Sequence, residues 1–425
     1  MELNQTQLTM RILFDVFAKI GLLSFGGPAA QISLMHKMIV DEKQWLNEKQ
    51  FLNALSFCML LPGPEAMQLA TYVGWKLRGL KGGLLAGLLF VIPGAVVVLA
   101  LATIYAYWGD VPLVNALFLG IKAAVLVVVI EALLRVSKKA LRGFEYWVIA
   151  GVAFVCIFFL SLPYPLIVLF AAIFGFIWGA KADDAEIVVV KNVSFYITIK
   201  NIIIWLLIWW VPILIIGHFS GIPILTEISE FFSKLAIVTF GGAYAVLAYM
   251  GQDVVNQFGW LSAGEMMDGL GLAETTPGPL ILVTEFVGFI AAFREGGFWL
   301  GIAGAAITLW VTFVPCFLWI FVGAPYIDWI SAQPRLNGAL TAITAAVVGV
   351  ILNLSIWFGL HVIFATVQHK QLGVLTLWQP ELASIDWLVM GLTGLCGLLL
   401  LKYHMNIIKV LMISAGLGAL FSSII

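Results

Sequence analysis

Two glycine- and proline-rich motifs occur twice in this chain at the same separation. A Phe-Gly-Gly sequence at 25–27 recurs at 240–242, a Pro-Gly-Pro sequence at 62–64 recurs at 277–279, and both pairs are 215 residues apart. Glycine and proline interrupt regular helices, and the half-helices that follow begin with N–H groups that have no intrahelical partner. Such helix ends carry partial positive charge and bind anions. The motifs therefore indicate an anion site built from broken helices.

A cavity is the expected setting for these interruptions. Unpaired backbone at membrane depth is tolerated only where it is buried in protein or lines a water-filled space. Four half-helix ends that converge across a pseudo-two-fold axis would suit an oxyanion with several acceptor oxygens. For each interruption taken alone, a simple packing kink is the open alternative.

Two lysines occupy matched positions before the Phe-Gly-Gly motifs. Lys19 and Lys234 each lie six residues before the phenylalanine, in otherwise apolar stretches. Charges inside a membrane are costly and usually functional. Contact with the anion is one interpretation, and an ion pair with Asp15 or Glu230, four residues earlier, is the other. Lys122 also lies within an apolar span, but its long side chain can extend to the membrane surface, so it is a weaker candidate for anion contact.

The acidic residues differ between the two copies. Glu65 directly follows the first Pro-Gly-Pro motif, whereas Glu274 and Glu285 lie on either side of the second. Each carboxylate either caps a helix N-terminus or takes up a proton that is coupled to anion movement. Gln31 and Gln68, just beyond the breaks of the first copy, can donate hydrogen bonds to oxyanion oxygens.

The candidate substrate-binding residues are thus the motif residues and their polar neighbours. They are Lys19, Phe25, Gly26, Gly27, Gln31, Pro62, Gly63, Pro64, Glu65, Gln68, Lys234, Phe240, Gly241, Gly242, Glu274, Thr275, Thr276, Pro277, Gly278 and Pro279.

The composition places the chain in a membrane. Hydrophobic residues make up 62% of the 425 residues and charged residues 11%, with a mean hydropathy of +1.06. These values predict an all-α polytopic membrane protein in contact with the lipid bilayer. The predicted spans are 84–108, 112–135, 145–162, 163–180, 200–217, 298–322, 336–358, 383–401 and 405–425. A net charge of −1 argues against a nucleic-acid partner.

The loop charges predict two repeats of opposite orientation. Basic residues concentrate near 76–81 and 135–142, which the positive-inside rule places in the cytoplasm, while the corresponding loops of the second copy carry few. One extra span at 200–217 would invert the second copy. We therefore expect a first transporter repeat at 1–180, a linker with one extra span at 181–221 and a second transporter repeat at 222–425. A duplication whose loop charges differ by chance is the alternative.

Enzymatic chemistry and metal binding lack their usual patterns. The five histidines form no HExxH motif, and neither a GxSxG elbow nor a GxxxxGK[ST] phosphate loop is present. The four cysteines show no CxxC spacing. The N-terminal residues lack a basic region and a cleavage site, so no removable signal peptide is expected. We expect no enzyme activity, no cofactor and no metal.

These sequences resemble those of the chromate ion transporter family in its long, bidomain form. The likeness rests on FGGPAAQ, Trp45 and LPGPEAMQLATYVGWKLRGLKGG in the first copy and on FGGAYAV and ETTPGP in the second. It covers both repeats, although Ala243 stands where the first copy has proline. The resemblance implies a secondary transporter that exports chromate, coupled to protons or to a counter-anion, and confers chromate resistance.

The resemblance leaves the substrate and the assembly open. Sulfate is a chemical analogue of chromate, so a transporter of sulfate or another divalent oxyanion is the main alternative, and an anion channel is the next. The expected location is the plasma or inner membrane, with multiple passes. Assembly is open too, with a homodimer as one arrangement.

Overall fold

A computed structural model describes residues 9–109, 111–178, 195–219, 221–240, 243–331, 333–373 and 375–422. Within these ranges the chain is almost entirely helical, which confirms the all-α polytopic class. The helices of the first repeat are α1 (Met10–Leu23), α2 (Gly27–His36), α3 (Glu48–Leu60), α4 (Glu65–Trp108), α5 (Pro112–Ala140), α6 (Phe144–Phe158) and α7 (Tyr164–Trp178), and they are followed by α8 (Phe195–Phe219).

The second repeat runs through a similar order of elements. Its helices are α9 (Pro223–Val238), α10 (Ala243–Gln252), α11 (Ala263–Thr275), α12 (Val283–Gly323), α13 (Ile327–Ser331), α14 (Pro334–Ile363), α15 (Trp387–Gly397) and α16 (Ile407–Ser422). A short antiparallel hairpin of β1 (Val367–Leu372) and β2 (Leu375–Pro380) joins α14 to α15, with Val367 opposite Pro380 and Leu372 opposite Leu375.

Each predicted span overlaps a helix, but the spans predicted at 145–162, 163–180, 383–401 and 405–425 coincide with apolar helices of only 10–17 residues in the described chain. Residues 179–180 and 423–425, at the ends of two spans, lie outside the described residues. By length and apolar composition, five helical segments of the described chain are able to cross a membrane alone. They are Glu65–Trp108, Pro112–Ala140, Phe195–Phe219, Leu280–Tyr326 and Pro334–Ile363.

The predicted helix breaks are present at both Pro-Gly-Pro motifs. In the first repeat α3 ends at Leu60 and α4 begins at Glu65. In the second, α11 ends at Thr275, and a 3-10 turn at Leu280–Leu282 leads into α12. Gly63 (φ 120°) and Gly278 (φ 89°) adopt positive φ angles that side chains with a Cβ disfavour.

Fine details of the backbone recur between the repeats. Asn47 caps α3 through a reciprocal pair of hydrogen bonds with Gln50, and Ser262 and Glu265 form the same capping box at α11. A π-helical turn follows α2 at Lys37–Glu42 and another follows α10 at Asp253–Gln257. The two copies therefore share local backbone structure well beyond the motifs that revealed them.

Both long helices that follow the Pro-Gly-Pro motifs turn back on themselves. The helical dihedrals fail at Arg78 and Gly79 in α4 and at Gly296 and Gly297 in α12, and the second residue of each pair has positive φ. Such a reversal without a loop needs glycine, because a Cβ at a positive φ is strained.

The contacts divide the chain into two compact units. Unit 1 comprises residues 1–102, 180–243 and 276–337, and in it α12 packs against α8 and α9. Unit 2 comprises 103–179, 244–275 and 338–425, and in it α5 packs against α11, α15 and α16. Each unit contains segments of both repeats. The repeat boundaries at 180 and 222, and the opposite orientation of the repeats, stay predictions.

Small residues bring the helices of unit 2 close together. A Cβ at Gly120 of α5 would lie on the backbone of Ser414 in α16, and the Ser414 hydroxyl donates a 2.6 Å hydrogen bond to the Gly120 carbonyl. Close approach of small residues, with polar groups bonded across the interface, is the usual way in which helices associate in lipid.

Candidate functional site

In unit 1 the break of each repeat is hydrogen-bonded to the other repeat. The Gly63 N–H donates to the Thr239 carbonyl at 2.8 Å, and the Gly278 N–H donates to the Ser24 carbonyl at 2.9 Å. Thr239 and Ser24 are the residues before the two Phe-Gly-Gly motifs, so the contacts are reciprocal. This is the pattern that a two-fold relation produces, in which residue i of one copy contacts j of the other and j contacts i.

The hydroxyls of Ser24 and Thr239 reinforce this arrangement. Ser24 donates to the Ile20 carbonyl and Thr239 to the Leu235 carbonyl, four residues earlier in α1 and α9. Helix ends leave carbonyls without partners, and these side chains satisfy one at each end. The backbone carbonyls of Ser24 and Thr239 remain available to the opposite Pro-Gly-Pro motif.

Two buried glutamines hold the Pro-Gly-Pro segments. The Gln31 Nε2 donates to the Gly278 carbonyl at 2.6 Å, and the Gln68 Nε2 donates to the Pro62 carbonyl at 2.7 Å. The Gln68 Oε1 is buried and has no hydrogen-bond partner within the described ranges. The expectation that these glutamines donate to an oxyanion stays a prediction, and in this structure their donors are used on backbone.

The space beside the first break is small. A cavity of about 10 Å³ lies among residues that include Gly63, Pro64, Thr239 and Thr312. That volume is about one water-sized probe. A tetrahedral oxyanion is larger than this space.

Glycines set the tight packing around the breaks. A Cβ at Gly94 of α4 would lie 2.2 Å from the Pro277 carbonyl oxygen, and a Cβ at Gly63 would lie 2.8 Å from the Cys316 sulfur. Real Cβ atoms do not approach other atoms so closely, hence larger residues at these positions would displace the breaks. A polar cavity that contains both Pro-Gly-Pro motifs stays a prediction.

The paired lysines lie on exposed faces. Lys19 on α1 and Lys234 on α9 are both exposed, as are Asp15 and Glu230. Among the described residues, no ion pair joins Lys19 to Asp15 or Lys234 to Glu230. The structure thus does not show the ion-pair alternative, and contact of the lysines with an anion stays a prediction.

The other candidate residues fall in both units. Those of unit 1 besides the residues above are the half-buried Phe25, Gly26, Gly27, Pro64, Glu65 and Phe240 and the buried Pro62, Thr276, Pro277 and Pro279. Gly241 and Gly242 lie outside the described residues. Glu274 and Thr275 belong to unit 2.

The acids near the breaks occupy different settings. Glu65 is the first residue of α4 and Glu285 lies in the first turn of α12, where carboxylates suit a helix N-terminus. Glu285 is 1% exposed, and its Oε2 has no hydrogen-bond partner among the described residues.

Glu274 lies in the last turn of α11, so it does not cap a helix N-terminus. It is buried in unit 2, where its Oε1 accepts a 2.7 Å hydrogen bond from the Tyr244 hydroxyl. Its Oε2 has no hydrogen-bond partner in the described part of the chain. The neighbouring Thr275 donates to the Leu272 carbonyl at 2.8 Å.

A buried ion pair in unit 2 was missed by the sequence analysis. The Lys122 Nζ lies 3.3 Å from the Asp268 Oδ2, which also accepts a 2.8 Å hydrogen bond from the Tyr105 hydroxyl. Lys122 therefore does not snorkel away from the protein but is paired within it. The available signal was Asp268 itself, an acid six residues before Glu274 in an apolar segment.

A second missed feature is a polar cavity of about 780 Å³ in unit 2. Its walls come from the α6–α7 connection, α10 and the π-turn after it, α14 and the β-hairpin. The hairpin is fixed by a 2.7 Å hydrogen bond from the Thr376 N–H to the Phe159 carbonyl. Asn353 lines the cavity, is 1% exposed, and has hydrogen-bond partners for neither amide atom in the described residues. The polar stretch around 366–380 was the only sequence signal.

Metal ligation has no candidate group among the described residues, because no three His, Cys, Asp or Glu side chains come together there.

Known proteins similar to this chain are described as transporters. The family model for "Chromate transporter" matches residues 11–176 and 226–419. A "Chromate transport protein" of Pseudomonas aeruginosa is 31% identical over 352 residues, 80% of this chain and 78% of that protein. A "Probable chromate transport protein" of Synechococcus elongatus is 29% identical over 355 residues, 81% of this chain and 84% of that protein.

A shorter relative matches only part of the chain. An uncharacterised transporter of Bacillus subtilis is 28% identical over 166 residues, which is 38% of this chain but 93% of that protein. No solved structure matches the chain. The family match spans most of both predicted repeats and excludes the region expected as linker. The helices, the membrane-compatible composition and the family match lead to one conclusion: this multi-pass membrane protein belongs to the chromate transporter family, a family of transporters and not of enzymes.

Proposed function

We propose that this protein is a secondary transporter that exports chromate across the cell membrane, coupled to protons or to a counter-anion, and so confers chromate resistance. The relatives named as chromate transport proteins support the substrate. The reciprocal hydrogen bonds between the two repeats support the mechanism, because they join each Pro-Gly-Pro break to the residue before the opposite Phe-Gly-Gly motif. Sulfate is the alternative substrate, since it is also a tetrahedral dianion.

The breaks supply the anion-binding groups. In the structure, the Gly63 and Gly278 N–H groups and the Gln31 and Gln68 amides are hydrogen-bonded to backbone carbonyls. Separation of the two repeats at the breaks would release the Gly63 and Gly278 N–H groups and the Gln31 amide, whereas the Gln68 amide is bonded to Pro62 within its own repeat. An oxyanion has enough acceptor oxygens to replace the lost carbonyls, so the exchange can be nearly balanced in hydrogen bonds.

The two repeats would form the two halves of a transporter that works by alternating access. We take them to have opposite orientations in the membrane, as in other secondary transporters built from inverted repeats. The bonds between Gly63 and Thr239 and between Gly278 and Ser24 would then belong to opposite ends of the substrate path. Breaking one while keeping the other would open the site to one side at a time.

Positive charge for the dianion comes from Lys19 and Lys234. Their exposure and the lack of a paired acid in the described residues leave both ammonium groups available to an anion that approaches the Phe-Gly-Gly segments. A dianion in a low-dielectric site needs such compensation, because an unpaired charge there is costly.

Transport by purified protein tests this function. Proteoliposomes containing the full chain should take up radiolabelled chromate with saturable kinetics, and a pH gradient or trapped counter-anion should increase the initial rate. Empty liposomes and liposomes with a Gly63→Leu, Gly278→Leu double variant serve as controls. Equal flux in protein and control liposomes would contradict the proposal.

A parallel series with radiolabelled sulfate separates the substrates. If chromate is the substrate, unlabelled sulfate should compete only at higher concentration. If sulfate is the substrate, the order of competition reverses. A flux that rises linearly with concentration and ignores both gradients would instead indicate an anion channel.

A further inference from the structure

The buried ion pair of unit 2 joins three helices at a single carboxylate. Lys122 comes from the middle of α5, Asp268 from α11 and Tyr105 from the end of α4. Asp268 is 3% exposed, whereas the Lys122 side chain is 26% exposed. The carboxylate is thus enclosed, while the lysine side chain is only partly buried. Gly264 lies close to the ammonium group, since a Cβ there would lie 3.2 Å from the Lys122 Nζ.

The pair is incompletely satisfied. Lys122 and Tyr105 both contact the Asp268 Oδ2, and the buried Oδ1 has no hydrogen-bond partner among the described residues. A purely structural buried ion pair stabilises a fold only when its remaining lone pairs are also bonded. A carboxylate oxygen that is buried and unbonded is instead the atom to which a proton binds with least rearrangement.

In the part of the chain that the structure describes, three groups act on this carboxylate. The groups that interact with it are Lys122 from α5, Tyr105 from α4 and Glu265 from one turn earlier on α11. The helix α16 also packs against α11 and carries one charged residue, Lys409, which is exposed near its start. Protonation of Asp268 therefore changes the net charge of this group of residues by one unit.

We propose that Asp268 and Lys122 form the proton-coupling site of the transporter, an inference that rests on the proposed function. A proton from water binds the Asp268 Oδ1, and the ion pair is replaced by a neutral carboxylic acid beside a lysine that keeps its own proton. Unit 2 thereby gains one positive charge without any change in Lys122. When the proton leaves, the ion pair forms again. Movement of the anion is then coupled to this gain and loss of one positive charge.

The transport test uses full-length protein in proteoliposomes. Asp268→Asn should abolish the stimulation of chromate transport by a pH gradient while chromate–chromate exchange at equal pH on both sides continues. The matched control is Glu131→Gln with Arg135→Met, which removes a 2.7 Å ion pair on α5 whose side chains are 29% and 48% exposed. This control should keep the wild-type response to the gradient. A pH-driven rate in Asp268→Asn equal to that of wild type would overturn the proposal.

A second variant separates coupling from folding. Asp268→Asn alone leaves Lys122 without its partner, so loss of folded protein is one outcome of that change. Lys122→Met with Asp268→Asn removes both charges and should restore the folded amount. If the pair only stabilises the fold, this double variant regains pH-driven transport. If it is the coupling site, the double variant folds but does not respond to the gradient.

A measurement without substrate distinguishes failure of this inference from failure of the proposed function. Infrared difference spectra of the purified protein between neutral and acidic pH should show a carboxylic acid C=O band that is missing in Asp268→Asn. The band is expected whatever anion the protein carries. Identical bands in wild type and Asp268→Asn would show that Asp268 takes up no proton.

Discussion

Helices α3 and α11 occupy the same place in the two repeats but differ in chemistry. Each has 13 residues, begins with a capping box and ends at a Pro-Gly-Pro motif. Helix α3 buries only four residues, and none of them is charged. Helix α11 is buried throughout Met266–Glu274 and carries Asp268 and Glu274 within that segment.

Glycine residues allow α11 to be closely packed against its neighbours. Its sequence has glycine at 264, 269 and 271, whereas α3 has none. A Cβ at Gly271 would lie 2.2 Å from a methyl carbon of Ile121, so α5 packs directly onto the α11 backbone. The same approach brings Lys122 to Asp268. The two copies thus share their helix breaks and caps but differ in side-chain chemistry at α3 and α11.

The largest expected effect distinguishes these two helices directly. Gly271→Ala forces a methyl group against Ile121 and should lower stability by about 1–3 kcal/mol, as overpacking does. The matched residue of α3 is Ser56, which is exposed, and Ser56→Ala should leave stability nearly unchanged. Thermal unfolding of each variant in detergent, with loss of monodispersity as the readout, measures the change in stability. Equal losses in the two variants would show that α3 and α11 are packed alike.

The next effect compares the two breaks. Gly63→Ala and Gly278→Ala each place a Cβ at positive φ, which costs about 1–2 kcal/mol. Gly63→Ala should be worse, because its Cβ also meets the Cys316 sulfur at 2.8 Å, whereas the nearest atom at Gly278 is a Leu282 methyl carbon at 3.1 Å. The folded yield and melting temperature of each variant give the order. Gly391→Ala, in an open position of α15, is the control.

Sequence patterns predicted the breaks and spans but not the side-chain partners. Proline, glycine and long apolar runs act locally, so the ends of α3, α4 and α11 follow from the residues at those ends. The contact between Lys122 and Asp268 joins distant parts of the chain, and nothing in the local pattern around either residue specifies it. The hydrogen bonds from Gly63 to Thr239 and from Gly278 to Ser24 likewise depend on how the repeats pack.

A smaller effect tests the two exposed lysines. Replacing Lys19 or Lys234 by methionine keeps side-chain length but removes the charge. If each lysine neutralises the dianion, each change should raise the apparent transport constant for chromate about tenfold, for a lost interaction worth roughly 1.4 kcal/mol. Folded yield should hold, because neither lysine has an acid partner among the described residues.

The outcome separates the two interpretations of these lysines. If they pair with Asp15 and Glu230 after all, the single variants should lose folded protein, and Lys19→Met with Asp15→Asn, or Lys234→Met with Glu230→Gln, should restore it. Unchanged chromate affinity in well-folded single variants would remove the lysines from the site and leave the helix breaks as its anion-binding part.

The smallest effect concerns what the two helices share. Asn47 caps α3 by accepting a 2.8 Å hydrogen bond from the Gln50 N–H, and Ser262 accepts one of 3.2 Å from the Glu265 N–H at α11. Alanine at either cap should cost about 1 kcal/mol, since an N-cap bond is worth about that amount wherever the helix lies. Similar small shifts in melting temperature for Asn47→Ala and Ser262→Ala are therefore expected.

Because the caps are local, the two cap variants should also show similar shifts in a Gly271→Ala background, where the packing of α11 but not of α3 is disturbed. A much larger loss for Ser262→Ala would mean that burial of α11 depends on its cap, and that the duplicated backbone and the diverged packing are energetically coupled.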